Sequence, residues 1–283
     1  MSEPRQTADA QRVNPLASPD PWNLVAEGYQ QVTRKYLDQF SRSGLAMLHY
    51  GKKTRAIDVA CGPGTTSLLL APCVQSVTCV DFSPNMLDEL RRNMAAARLN
   101  NLDVIEADGQ ALPFDDGSFD TAVSMFGLMF FPDRAKGFAE LYRVLAPGGR
   151  ALVSSWAPVA QSPLMRLVMA ALQPDDAPQE ATQRLFGLED RAVFAAEMRE
   201  AGFADINIEE VTHGLLIHDV DQFWNDTVRG VAPITLSKHR ASAEEWSAIE
   251  HRAIGRIRQT LAGRLPVELA STAYLATASK TAR

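Results

Sequence analysis

Trp22, Val25, Tyr29, Val32, Tyr36 and Phe40 recur every three or four positions, which predicts an amphipathic helix over 22–40. Tyr29 and Tyr36, seven residues apart, fall on one face of it. Short apolar runs then alternate with helix-period segments. Strands are predicted at 55–60, 76–80, 102–106, 119–124 and 150–156, with helices at 65–71, 84–99 and 133–145. Ser83 can cap the second of these helices, with Pro84 at the first helical position, where its missing N–H costs nothing. Pro147-Gly148-Gly149 closes the third. Strands separated by helices pair in parallel through right-handed crossovers, and they gather a ligand site at their carboxyl ends.

After Trp156 the pattern becomes a Pro-interrupted helical stretch running to Gly187. Beyond it come a helix at 189–201, a strand at 205–217, helices at 220–229 and 242–262, and a last strand at 269–279 that can pair with 205–217. The predicted fold class is therefore α/β: a doubly wound, seven-stranded, mainly parallel sheet with helices on both faces, an N-terminal helix and a C-terminal helical lid insertion. The domain reading is a disordered tail at 1–21, then the N-terminal helix and nucleotide-type core at 22–156. Lid helices plus the last two strands of the same sheet occupy 157–283.

Composition narrows the partners. The 283 residues, 46% hydrophobic and 22% charged, are enough to bury a full core. Lys and Arg number 28 against 34 Asp and Glu, and with a net charge of −6 and no basic cluster a nucleic acid is not expected as partner. No apolar run reaches the ~18 residues of a membrane span. Residues 1–21 lack a signal-peptide core, so a cytoplasmic location without membrane partners is expected. Cys61, Cys73 and Cys79 lack metal-ligand spacing, which predicts reduced thiols and no metal site. The Pro- and Ala-rich stretch at 156–187 suits a lid or a homodimer contact, and its composition favours neither.

Candidate chemistry sits where strands end. Ala56-Ile57-Asp58-Val59-Ala60-Cys61-Gly62-Pro63-Gly64-Thr65-Thr66 turns the first strand into the first helix, with small residues that let a ligand approach the backbone. A dinucleotide fingerprint would need a third small residue at position 67, where Ser67 stands, and no Gly-Lys-Ser/Thr phosphate loop is present. The carboxylate of Asp58 disfavours a pyrophosphate and suits a ligand bearing ammonium and sulfonium cations. Asp81 ends the second strand, placed to accept hydrogen bonds from both hydroxyls of a ribose. Asp108, after the third strand, can accept from the exocyclic amine of adenine.

Four motifs in order and spacing carry a resemblance. They are Asp58 to Thr65; Val80-Asp81-Phe82-Ser83-Pro84-Asn85-Met86-Leu87; Ala107 to Phe114 with Asp115-Asp116-Gly117-Ser118-Phe119-Asp120 directly after it; and Arg143-Val144-Leu145-Ala146-Pro147-Gly148-Gly149. Residues 56–155 resemble the S-adenosylmethionine-binding core of the class I, ubiquinone/menaquinone-biosynthesis type of small-molecule methyltransferase. One departure is Ala60, where the family usually has glycine. By position, the resemblance implies that Asp58 and the turn of Ala60, Cys61, Gly62 and Gly64 hold the methionine end and Asp81 the ribose. Phe82 and Met86 would flank adenine, Asp108, Gly109 and Gln110 would address its edge, and Ser124 would lie below the transferable methyl. Tyr29 could reach the cofactor from the N-terminal helix.

Met125, Phe126 and Met129 open an apolar loop where an acceptor should sit, and Trp156, Phe186, Phe223 and Trp224 lie in the variable C-terminal part, where the resemblance implies an acceptor lid; each taken singly also reads as a core residue. If the acceptor needs a general base, His213, His218 and His239 are the C-terminal candidates. The implied function is methylation of a small, partly apolar molecule, natural-product or quinone-like, with S-adenosylhomocysteine as coproduct. Two alternatives stay open: a cofactor-binding protein of the same fold without transfer activity, and a nicotinamide-dependent oxidoreductase.

Overall fold

The computed structural model describes residues 14–174 and 187–282. Seven strands form one sheet: β1 (Arg55–Val59), β2 (Ser76–Asp81), β3 (Leu102–Glu106), β4 (Phe119–Ser124), β5 (Leu145–Trp156), β6 (Ala204–Ile217) and β7 (Val267–Ser279). Their spatial order is β3-β2-β1-β4-β5-β7-β6. The first five pair in parallel, while β7 runs antiparallel to both β5 and β6. This is the doubly wound, mainly parallel sheet that the alternating pattern predicts. Strand β5 begins at Leu145 rather than 150 because the chain leaves the preceding helix directly into extended backbone; Leu145 pairs with Phe119 before a register shift.

Alternate strand residues feed two cores, as the pleat requires. Ile57, Val59, Ala122, Ala151 and Val153 join a cluster with Phe138, Leu141 and Phe194 from helices α5 (Arg134–Val144) and α7 (Arg191–Glu200). Ala56, Val77, Cys79, Val123 and Leu152 point the other way. They meet Leu45 of α2 (Arg34–Ala46), Leu70 of α3 (Thr65–Leu70) and Leu87 and Leu90 of α4 (Pro84–Ala97). A third cluster unites α6 (Pro163–Leu172), α8 (Val220–Gly230), α9 (Ala232–Arg240) and α10 (Ala243–Leu261) with the far ends of β6 and β7 through Ile217, Leu215 and Leu269. Helix α9 falls between the predicted helices at 220–229 and 242–262 and has almost no amphipathic stripe to betray it.

The N-terminal region differs from expectation in two ways. Residues 14–21, expected within a disordered tail, are structured: the Asn14 side chain caps a 3-10 turn at Pro15–Ala17, Leu16 is buried, and the Trp22 indole donates to the Leu16 carbonyl at 2.9 Å. Residues 1–13 lie outside the described residues. The helix predicted at 22–40 is α1 (Asp20–Gly28), a π-helical turn at Tyr29–Thr33, and α2. A π turn inserts one residue and rotates the rest of the helix about its axis. Tyr29 and Tyr36 therefore do not serve the same place, since the Tyr36 hydroxyl donates to the His213 carbonyl at 2.8 Å and accepts from the Ser271 amide at 3.2 Å.

Candidate active site

A cavity of about 270 Å³ lies over the carboxyl ends of β1, β2, β3 and β4. Its wall includes Asp58 of β1, Asp81 of β2 and Asp108 just beyond β3, so the three acids that end three strands do converge. Ala60, Cys61, Gly62, Phe82, Met86, Gly109, Gln110, Met125, Phe126 and Tyr29 line it as well. The site falls where parallel strands on either side of β1 connect in opposite directions, the usual ligand crevice of an open α/β sheet.

The turn after β1 is built to keep backbone bare. Ala60, Gly62 and Gly64 all have positive φ, and the amides of Gly62 and Ser83 donate to the two oxygens of Asp81 at 2.8 and 2.9 Å. Ala60 stands at φ +56°, in the left-handed region that glycine occupies freely, which is the physical content of its departure from the family pattern. Its methyl fills space against the next loop: a Cβ on Gly127 would lie 2.4 Å from the Ala60 Cβ. Gly109 is equally confined, since a Cβ there would meet the Phe131 ring at 2.6 Å.

Both inner acids are buried. Asp58 is 1% exposed and accepts from the Ser67 hydroxyl at 2.5 Å; the serine that breaks the dinucleotide fingerprint thus holds the first acid. Burial pushes Asp58 up to about 7, opposed by the Ser67 hydrogen bond and reinforced by the charge of Asp81. Burial raises Asp81 to about 6, against the pull of the Ser83, Gly62 and Phe82 amides. The same burial, with the charge of Asp81, raises the Tyr29 phenol far above its ordinary value, so Tyr29 is a neutral hydroxyl. Asp108 is exposed at the mouth, where it accepts from the Gln110 amide at 2.9 Å.

Several expected site residues are not part of this wall. Gly64 caps α3 at φ +85° and is pressed against Leu90, so its role is the turn itself. Ser124 is fully buried at the end of β4 and its Oγ has no partner among the described residues. Met129 is buried in the core behind the loop, taking a weak hydrogen bond from Ser155 at 3.5 Å. Trp156 sits one layer behind, its ring 4.3 Å from that of Phe126. Trp224 belongs to the third cluster, fully buried, donating to Glu250 at 3.0 Å. Phe223 lies in that cluster too, and Phe186 lies outside the described residues. His213 pairs with the Ser43 hydroxyl at 2.9 Å against Phe40, and His218 and His239 are exposed. None of the three histidines reaches the cavity among the described lining residues.

The structure adds residues the sequence reading missed. Leu16, Ala17, Pro19 and Trp22 cover the cavity from the N-terminal side, where Trp22 meets Phe130 edge-on at 5.2 Å. Asn14 before Pro15 was the available signal, a side-chain cap with proline at the first position of the turn. Leu37, Ser41, Thr65 and Thr66 line another part of the wall. Ser41 stands one helical turn after Leu37, a polar residue inside an apolar stripe, which is itself a sign of a lined cavity.

Known proteins match this arrangement. A family described as a methyltransferase domain matches residues 56–149. Demethylmenaquinone methyltransferase of Clavibacter sepedonicus is 34% identical over 175 residues, covering 57% of this chain and 70% of the relative. The enzyme of that name from Staphylococcus epidermidis is 28% identical over 224 residues, covering 74% and 89%. Among solved structures, a methyltransferase candidate from Bacillus halodurans C-125 superimposes with a TM-score of 0.59 at 16% identity, over 85% of this chain and 98% of the other, which is a likeness of fold. With a relative 34% identical covered over 70% of its length, and three of the four motifs lining one cavity, the chain belongs to the class I S-adenosylmethionine-dependent methyltransferases.

Proposed function

We propose that the cavity binds S-adenosylmethionine and that the chain transfers its methyl group to a small, partly apolar acceptor entering beside Met125 and Phe126. The observation that carries this is the convergence of Asp58, Asp81 and Asp108 on one cavity, two of them buried. A buried carboxylate with a raised pKa is costly unless a cation or donor arrives to stabilise its charge. Asp58 faces the ammonium, Asp81 the ribose hydroxyls, and Asp108 with Gly109 and Gln110 the adenine edge. Phe82, Met86 and Trp22 enclose the base. The donors and small residues present fit such a ligand, with Gly62 leaving the backbone open along the wall.

When bound, S-adenosylmethionine supplies a methyl on a sulfonium for in-line displacement. The chain's task is to hold the partners at near-attack distance and exclude water. Phe126, in the left-handed region at φ +56° and backed by the Trp156 and Phe40 rings, presents a rigid apolar wall on the acceptor side. The relatives named demethylmenaquinone methyltransferase support a quinone-like ring as acceptor. His213, His218 and His239 are not among the described lining residues, so they are not favoured as bases for a proton lost from the acceptor.

The test is calorimetric titration with S-adenosylmethionine and S-adenosylhomocysteine, with NAD(H) and NADP(H) as controls, and then an acceptor panel of hydroquinones and phenols. Binding of the first pair alone and methyl transfer to a ring acceptor are expected. A response to the nicotinamide cofactors alone would overturn the reading.

A further inference from the structure

Behind the cavity wall, two side chains that are not among its described lining residues stand in line with the acid of β1. The Ser67 hydroxyl of α3 donates to Asp58 Oδ2 at 2.5 Å, and the Cys79 thiol of β2 lies 3.2 Å from the Ser67 Oγ. Cys79 is the residue paired with Asp58 in the register of β1 on β2, and both Cys79 and Ser67 are fully buried. The thiol's other acceptor, the Val77 carbonyl, is farther off at 3.8 Å, so the thiol gives its proton to the serine. A serine oxygen that accepts from the thiol keeps its own proton for Asp58.

A buried carboxylate holds its charge only where a donor stabilises it, and Ser67 supplies that donor from a side chain. The other titratable groups around Asp58 are Asp81 and Cys79 on β2 and Cys61 in the turn after β1. Asp81 opposes the charge on Asp58, and burial keeps the Cys61 thiol neutral. Without the serine hydroxyl, burial and Asp81 remain, and both favour the uncharged acid. We propose that Ser67 and Cys79 are positioning residues that act on the cofactor through Asp58, an assignment that rests on the cofactor reading above. The thiol orients the hydroxyl, and the hydroxyl holds the carboxylate ionised and in place for the ammonium. Position 67 thus serves the ligand's charge without touching the ligand.

The experiment follows the affinity of S-adenosylhomocysteine by calorimetry from about pH 5.5 to about pH 9, beside that of methylthioadenosine, which keeps the ribose and adenine and lacks the ammonium. In Ser67→Ala the rise of S-adenosylhomocysteine affinity with pH is expected about one pH unit higher than in the wild type, the size of a lost hydrogen bond to a charged group. The loss is then roughly tenfold near pH 6 and shrinks to less than about twofold near pH 9. Cys79→Ala should move the rise the same way by less, and Cys79→Ser, which keeps a donor, should leave it in place. Methylthioadenosine affinity should be unchanged in all three variants. A loss in Ser67→Ala that is equal at every pH, a matching loss for methylthioadenosine, or no loss at all would overturn the proposal. Wild-type protein that binds neither ligand would sink the cofactor reading itself, a result distinct from these.

Discussion

Asp58 and Asp81 end neighbouring parallel strands, and each is held above its ordinary range by burial, at about 7 and about 6. A ligand carrying positive charge favours the ionised form, so it must lower both values and expel protons on binding. Affinity for S-adenosylmethionine is therefore expected to rise from pH 5 to about pH 8 and then level off. Calorimetry at pH 6 in buffers of different ionisation enthalpy should register proton release, and Asp58→Asn should remove part of it. An affinity flat across that range would contradict the assignment. At the neighbouring turn, Ala60 and Gly127 share space for one methyl group. Gly127→Ala should destabilise the protein by about 1–3 kcal/mol through overpacking. Adding Ala60→Gly should restore most of that loss, because it removes the clashing Cβ and relaxes a positive φ. Thermal melts of the two single variants and the double variant measure the coupling.

The helices α1 and α8 are locked together by glycine. A Cβ on Gly28 would lie 1.9 Å from the Arg229 carbonyl oxygen, and Thr33 donates to the Gly230 carbonyl at 2.6 Å within the π turn. Gly28→Ala should therefore lower the melting temperature and, by pushing α1 outward, loosen the wall formed by Trp22 and Tyr29. Reduced cofactor affinity alongside the lower melting point checks this, and a variant with unchanged melting would mean the helices part freely. Most elements were legible because each reports itself through a period. Strands β1 to β4 alternate or run apolar, and α4 announces its start with Ser83 and Pro84. The elements that escaped had no period to read: the 3-10 turn at Pro15–Ala17 is too short for one, and α9 has almost no apolar stripe. The π turn is silent in sequence because one inserted residue changes only which face Tyr36 occupies. The site divides on the same lines. The acids at strand ends were readable from position alone, whereas Trp224 was misplaced because a tryptophan on an amphipathic helix looks the same whether it faces a cavity or a core.

For the whole molecule, the raised acids set a pH dependence of stability opposite to that of most carboxylates. Their folded values lie above the ordinary 3.8, so the folded protein holds more protons than the unfolded chain between about pH 4 and pH 7. Without ligand, stability should fall as pH rises through that window and stay flat above it. The paired acids Asp120 and Glu140, held low by Arg55 and Arg143, act in the opposite sense and only at lower pH. Melting curves from pH 5 to 8, with and without S-adenosylmethionine, should show the decline in the free protein and its reduction in the bound one. The sheet order has a consequence for assembly. Strand β7 lies between β5 and β6, yet it comes after both along the chain by dozens of residues. During synthesis β5 and β6 emerge with no partner on their facing edges, and the hairpin of β6 with β7 can close only after the α8–α10 helices have been made. A ribosome-bound chain stalled before Val267 would thus carry two unpaired strand edges, a template for misassociation that chaperones would recognise and that the completed fold seals with a single strand.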